Sequence, residues 1–117
     1  MTHEEKKVGK IIEELTMFFF SLGAEHIQTG IHRQENQVII TMESDYDPDR
    51  EQGLHRLKEF LNEPKNDGME DIYWELAGSG DPGESSQLLL VGMMLDKAEV
   101  EIIPEKVKLK LYKELLE

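Results

Sequence analysis

Along residues 8 to 22 the apolar side chains Val8, Ile11, Ile12, Leu15, Phe18, Phe19 and Leu22 recur at steps of three and four. Glu4, Glu5, Lys6, Lys10, Glu13 and Glu14 fall largely between them. The spacing predicts an amphipathic helix, which Gly23 closes because a residue without a Cβ turns left-handed at little cost. From Glu25 the period changes to two. Ile27, Thr29 and Ile31, then Val38, Ile40 and Met42, alternate with polar residues on either side of a polar stretch from Arg33 to Gln37, which predicts a β-hairpin. With Glu35 and Asn36 as the turn, Ile31 stands opposite Ile40 and Thr29 opposite Met42, so one register puts both apolar sets on one face. Asn36, which tolerates a left-handed backbone, suits that turn.

Asp47 and Pro48 have the chemistry of an N-cap and a first helical residue, and Leu54, Leu57, Phe60 and Leu61 mark one face of a second helix that Pro64 ends. After a loop from Lys65 to Gly68, Met69, Ile72, Tyr73 and Leu76 have helical spacing, while Ile72, Trp74 and Leu76 also alternate; helix is the choice for residues 69–77. Gly78 to Gly83 reads GSGDPG and predicts an irregular loop. Residues 84–95 then open with cap-capable Ser85 and Ser86 and continue as QLLLVGMML, apolar on nearly every side, as in a helix buried between other elements. A second hairpin follows. Pairing across Pro104 and Glu105 sets Ile102 opposite Val107, Val100 opposite Leu109 and Ala98 opposite Leu111, and the same register sets Glu101 against Lys108 and Glu99 against Lys110. Pro-Glu is outside the favoured two-residue turns, so a wider loop is expected there.

A helix leading into a hairpin thus occurs twice, the pattern of a remote duplication. The simplest architecture is an α/β (α+β) two-layer sandwich, with a four-stranded mixed or antiparallel sheet and the helices on one face.

Length and composition narrow the picture. The 117 residues, 38% of them hydrophobic, suffice for one core, so residues 1–117 read as a single domain. Thirteen Lys and Arg stand against 25 Asp and Glu, a net charge of −12 that repels phosphate backbones and anionic lipid headgroups. The densest basic stretch, Lys106, Lys108, Lys110 and Lys113, alternates along the last strand and faces Glu99 and Glu101, which predicts neutralisation rather than a binding stripe. Nucleic acid and membrane are therefore not expected as partners. Cysteine is absent, which removes disulfides and thiolate chemistry and fits a reducing compartment. The opening MTHEEKK lacks the pattern of a secretory signal, and the longest apolar run, Leu88 to Leu95, is far short of a bilayer span. The expected location is cytoplasmic.

Several stretches have the outline of chemistry. Gly78, Gly80 and Gly83 spell G-x-G-x-x-G ahead of a helix, with Glu99 and Glu101 following at about the ~20-residue distance of a dinucleotide fingerprint. Asp81 and Pro82 occupy the places where backbone amides should meet a pyrophosphate, and too little chain remains for further βαβ units. No Lys-Ser/Thr pair follows a glycine-rich stretch, which excludes a P-loop. Among His3, His26, His32 and His55, only His26 and His32 share a strand face, at a separation too large for one metal. Asp45, Asp47 and Asp49 have the opening spacing of a calcium loop, but Arg50 stands where that loop needs glycine and Pro48 is rigid, so helix capping is the expected role. Ser79, Ser85 and Ser86 have no base nearby in sequence. No catalytic set, metal site or cofactor is expected from these residues.

The segment EELTMFFFSLGAEHIQTGIHRQENQVIITMES resembles the first helix, Gly-Ala-x-x-Ile strand and return strand of the ATPase domain of histidine kinases and anti-sigma factor kinases, the GHKL fold. GSGDPGESSQLLLVGMMLDKAEVEI is similar to that family's glycine box, following helix and next strand, and the two segments together cover roughly two thirds of the chain. The resemblance implies a nucleotide-binding regulator or kinase with Gly78, Gly80 and Gly83 in a phosphate lid. The sequence departs at the family's chemical positions: Glu14 is followed four residues on by Phe18 instead of a magnesium-binding Asn. Glu43, Ser44, Asp45, Tyr46 and Asp47 stand in place of the adenine-binding Asp-x-Gly-x-Gly. The implied protein is a degenerate member that keeps the sandwich without the nucleotide.

The function these observations favour is that of a non-catalytic cytoplasmic protein acting through protein–protein contacts, regulatory in role. The surplus apolar residues Phe20, Trp74, Met93 and Met94 are candidates for the contact, and homodimerisation would cover exposed sheet edges. The alternatives are the GHKL-type nucleotide-binding regulator and an acidic nucleic-acid mimic.

Overall fold

In the computed structural model, which describes residues 3–61 and 91–115, the first amphipathic stretch forms α1 (His3–Ser21). Its buried stripe is Val8, Ile11, Glu14, Leu15, Phe18 and Phe19. Burying a side chain such as Ile11, Leu15 or Phe19, each without exposed surface, contributes roughly 1.5–3 kcal/mol. Gly23 takes φ +82°, and its N–H and that of Ala24 return to the Phe20 and Phe19 carbonyls at 3.0 and 3.1 Å, the paired bonds of a Schellman ending. The Arg50 guanidinium adds a bond to the Ser21 carbonyl at 3.0 Å, placing positive charge at the negative end of the helix.

Four strands follow the two predicted hairpins: β1 (Ile27–Gln34), β2 (Gln37–Asp45), β3 (Lys97–Ile103) and β4 (Lys106–Glu114). They form one antiparallel sheet in the order β1-β2-β4-β3. Both predicted hairpin registers are present: Ile31 faces Ile40 and Thr29 faces Met42, and Ala98, Val100 and Ile102 face Leu111, Leu109 and Val107. The turns differ from expectation. Glu35, not Asn36, carries the positive φ of the first turn, at 52°. The second is a tight two-residue turn rather than a wider loop, with Glu105 at φ 63°. Proline fixes a negative φ ahead of it, the sign pattern of a type II turn, which favours proline at its first central position.

The hairpins meet through their second strands. Gln37 pairs with Glu114 at one end, Thr41 with Lys110 at the centre and Asp45 with Lys106 at the other end, so a two-fold through the sheet exchanges one hairpin for the other. This is the geometric counterpart of the repeated helix-hairpin order in the sequence.

Between the hairpins, Asp47 caps a short 3-10 turn (Pro48–Arg50) by accepting the Asp49 N–H at 3.0 Å, and α2 (Gln52–Leu61) begins only after it. Capping by Asp47 and Pro48 is as expected; the delayed start of the α-helix is not. Residues 91–94 are helical and buried. Gly92 sits there because a Cβ would come within 2.1 Å of the Phe60 carbonyl oxygen, so this turn packs against the end of α2 backbone to backbone. The remainder of the predicted helix 84–95, the segment 69–77 with Trp74, and the glycine loop lie outside the described residues.

One apolar cluster joins α1, α2, residues 91–95 and the inward side chains of the sheet, Val38, Ile40, Met42, Ala98, Val107, Leu109 and Leu111. Two expectations fail at its boundary. Ile31, predicted to share the core face with Ile40, is 59% exposed, because β1 is an edge strand that the described helices leave uncovered. Lys113 does not share the outward face of Lys106, Lys108 and Lys110; odd numbering turns it inward, where it is buried and pairs with Glu4. No helix among the described residues is long and apolar enough to cross a membrane.

Candidate functional site

The sheet has one side turned from α1, built by alternate residues of each strand. At its centre Lys106, Lys108 and Lys110 of β4 form a column. β2 sets Glu43 and Asp45 on one flank, and β3 sets Glu99 and Glu101 on the other. Lys106 Nζ lies 2.9 Å from Glu43 Oε1. That bond holds the Glu43 carboxyl below the usual glutamate range and raises the Lys106 ammonium above its own. Tyr112 continues the column, with Lys97 and Lys110 over its ring at 5.4 and 5.7 Å. Interleaved signs leave this face without a field of one sign.

At the start of β1, Asp45 Oδ1 accepts the N–H groups of Glu25 and His26 at 2.8 and 3.0 Å, and Oδ2 lies 3.1 Å from His26 Nδ1. The backbone donors, His26 first and then Glu25, hold the Asp45 carboxyl below its ordinary value. A histidine oriented by a carboxylate is half of a nucleophilic device. The adjacent hydroxyl cannot complete it: Ser44 points to the opposite, buried face and bonds the Asp45 carbonyl at 2.7 Å. The pair instead fixes the entry of β1 into the sheet.

The β1 edge is the second exposed surface. The Asp45 N–H bonds the His26 carbonyl, so even-numbered residues of the strand exchange bonds with β2. The N–H and C=O groups of Ile27, Thr29, Ile31 and Arg33 therefore point out of the sheet. Every residue from Gln28 to Gln34 is exposed. Near the turn end of the strand, Arg33 reaches Glu5 in the first turns of α1 at 3.0 Å. By helical spacing Phe20, 57% exposed, falls on the solvent side of α1, nearly opposite its buried stripe. Ile31 and Phe20 are the two most exposed large hydrophobic side chains among the described residues.

The residues singled out in the sequence fall apart in space. His3, His26, His32 and His55 are all exposed, and His26 and His32 share the open face beside Asp45 and Ile39. Asp45 and Asp47 bind backbone N–H groups. Met93 and Met94 are buried, whereas Phe20 is exposed. Gly78, Gly80, Gly83, Ser79, Ser85 and Ser86 lie outside the described residues. No group of three His, Asp or Glu side chains among the described residues is placed to hold a metal ion. The β1 edge was missed because its apolar alternation reads as core. The signal available was charge: residues 26–34, HIQTGIHRQ, contain no acid in a chain of 25 acids.

No family model, curated protein or solved structure matches the chain.

Proposed function

We propose that the protein is a non-catalytic, regulatory binding module of the cytoplasm, acting through contacts with protein chains along the β1 side of its sheet. The observation that carries this reading is the β1 edge itself: outward backbone donors and acceptors, with Ile31 exposed beside them. An extended segment of another chain adds to such an edge by main-chain hydrogen bonds, and side-chain pockets on either face give selectivity. The interleaved charges of the open face suit a protein surface better than a phosphate backbone, and so weigh against an acidic nucleic-acid mimic.

A photo-crosslinking residue placed at Ile31 in cells is expected to give discrete protein adducts, and one placed at Glu101 on the open face to give none. Absence of adducts at Ile31 sinks the reading. The GHKL-type alternative rests on Gly78, Gly80 and Gly83, and saturable heat on titrating the purified protein with ATP and magnesium would favour it instead.

A further inference from the structure

The two edges of the sheet are equivalent under its internal two-fold, yet they are finished differently. On β3 the inward side chains Ala98, Val100 and Ile102 are buried or half-buried, and α2 packs over them. On β1 the corresponding face is exposed from Gln28 onward. Natural edge strands are usually guarded by proline, an inward lysine, a bulge or a covering element. β1 has no proline and pairs with β2 without a bulge, and its one inward charge, Arg33 near the turn, is neutralised by Glu5, leaving Thr29 and Ile31 without a guard.

We infer that β1 pairs antiparallel with β1 of a second copy of this chain, joining two sheets into one of eight strands; this rests on the binding role proposed for the edge. Three features select a second copy. First, the strand is self-complementary. Outward-bonding residues must face outward-bonding residues, and the register that uses the whole strand sets Thr29 opposite Ile31 of the partner subunit and Ile27 opposite Arg33 of the partner subunit. All four outward residues of each copy are then satisfied about a two-fold at Gly30. Second, that register brings Ile31 diagonally beside the partner's Ile31, within reach of side-chain contact, so the most exposed apolar residue covers itself. Third, two chains of charge −12 repel wherever their acids meet, and residues 26–34 are an acid-free stretch with Arg33 and two histidines. Self-association there keeps carboxylates out of the paired stretch; Glu25 meets the partner's Glu35 only beyond its ends.

The test is the mass of the purified protein by light scattering over a roughly hundred-fold concentration series, with amide exchange measured at each end. The expected mass rises to twice the 13.5 kDa of one chain. The amides of Ile27, Thr29, Ile31 and Arg33 gain protection of roughly tenfold or more on dimerisation, while those of Val100 and Ile102, outward on the β3 edge, do not change. Thr29→Pro removes an outward donor without touching the ladder to β2, and Ile31→Lys places an inward charge at the centre of the strand, beside its own copy across the two-fold; each is expected to hold the mass at one chain with an unchanged circular dichroism spectrum. A one-chain mass for the unsubstituted protein throughout the series overturns the inference, as does a dimer whose β1 amides stay unprotected. Because exchange is read on the unsubstituted chain, the inference stays testable if either variant fails to fold. A monomer that still crosslinks at Ile31 to a protein of different mass overturns only the second copy; a monomer without adducts overturns the binding reading as well.

Discussion

Lys113, buried near the end of β4, pairs its ammonium with the carboxylate of Glu4 in the first turn of α1. The contact fastens the start of the helix to the sheet, as the Glu5–Arg33 pair does at β1. Burial pushes the Glu4 carboxyl up, but the hydrogen bond and charge of Lys113, with Lys7, outweigh it and hold the group below its usual value.

The two halves of this pair are unequal. Lys113 retains 5% of its side-chain exposure and Glu4 15%, and Glu4 keeps Lys7 at 3.5 Å if Lys113 is lost. Glu4→Gln strands a buried ammonium and is expected to cost about 3 kcal/mol, whereas Lys113→Met replaces it with apolar volume and should cost under about 1 kcal/mol. Urea unfolding of both variants checks the order.

Glu14 is buried on α1 with Oε1 2.9 Å from Lys10, and its Oε2 has no hydrogen-bond partner among the described residues. A half-satisfied buried carboxylate is a poor stabiliser. Glu14→Leu should leave stability unchanged or raise it by about 1 kcal/mol; a loss larger than that would show the carboxylate to be held by a group outside the described residues.

The Tyr46 hydroxyl accepts the Glu105 N–H at 3.2 Å and has the Ile103 carbonyl at 3.0 Å and Glu51 Oε1 at 3.1 Å for its single proton. Burial first, and then the Glu51 contact, raise its pKa. It ties the β3–β4 turn to the segment ahead of α2. Tyr46→Phe is expected to cost about 1–2 kcal/mol in chemical denaturation and to speed amide exchange at Glu105.

Backbone conformation separates two classes of substitution. Glu35 and Glu105 hold positive φ with a side chain, so glycine at either should stabilise by up to about 1 kcal/mol. Gly23→Ala should do the reverse by at least as much, since φ is +82° and a Cβ would come within 3.0 Å of the Asp47 Cβ. Thermal melts of the three variants should separate with opposite signs.

Asp45 has a folded pKa below its ordinary 3.8. The unfolded chain therefore binds the proton more readily, and the carboxylate's stabilisation is complete above the ordinary value and lost as pH falls through the folded one. Melting temperature should drop on acidification below about pH 4, and Asp45→Asn should make that drop shallower without removing it, because Glu4 and Glu43 are lowered too.

What the sequence determined is local. Period 3.6 before Gly23, period 2 on either side of Glu35 and of Pro104, and the capping chemistry of Asp47 and Pro48 specify α1, both hairpins and their registers, because these depend on neighbours along the chain. The tertiary structure decided how the pieces were laid together. Only the pairing of β2 with β4 makes β1 an edge, so Ile31 repeats the alternation of a core residue yet stays exposed. Only the position of α1 over the sheet gives buried Lys113 its partner in Glu4, more than a hundred residues away in the chain. The strand period tells which residues share a face. Whether that face is covered depends on the order of strands and the reach of the helices, and these are set by contacts between residues remote in sequence.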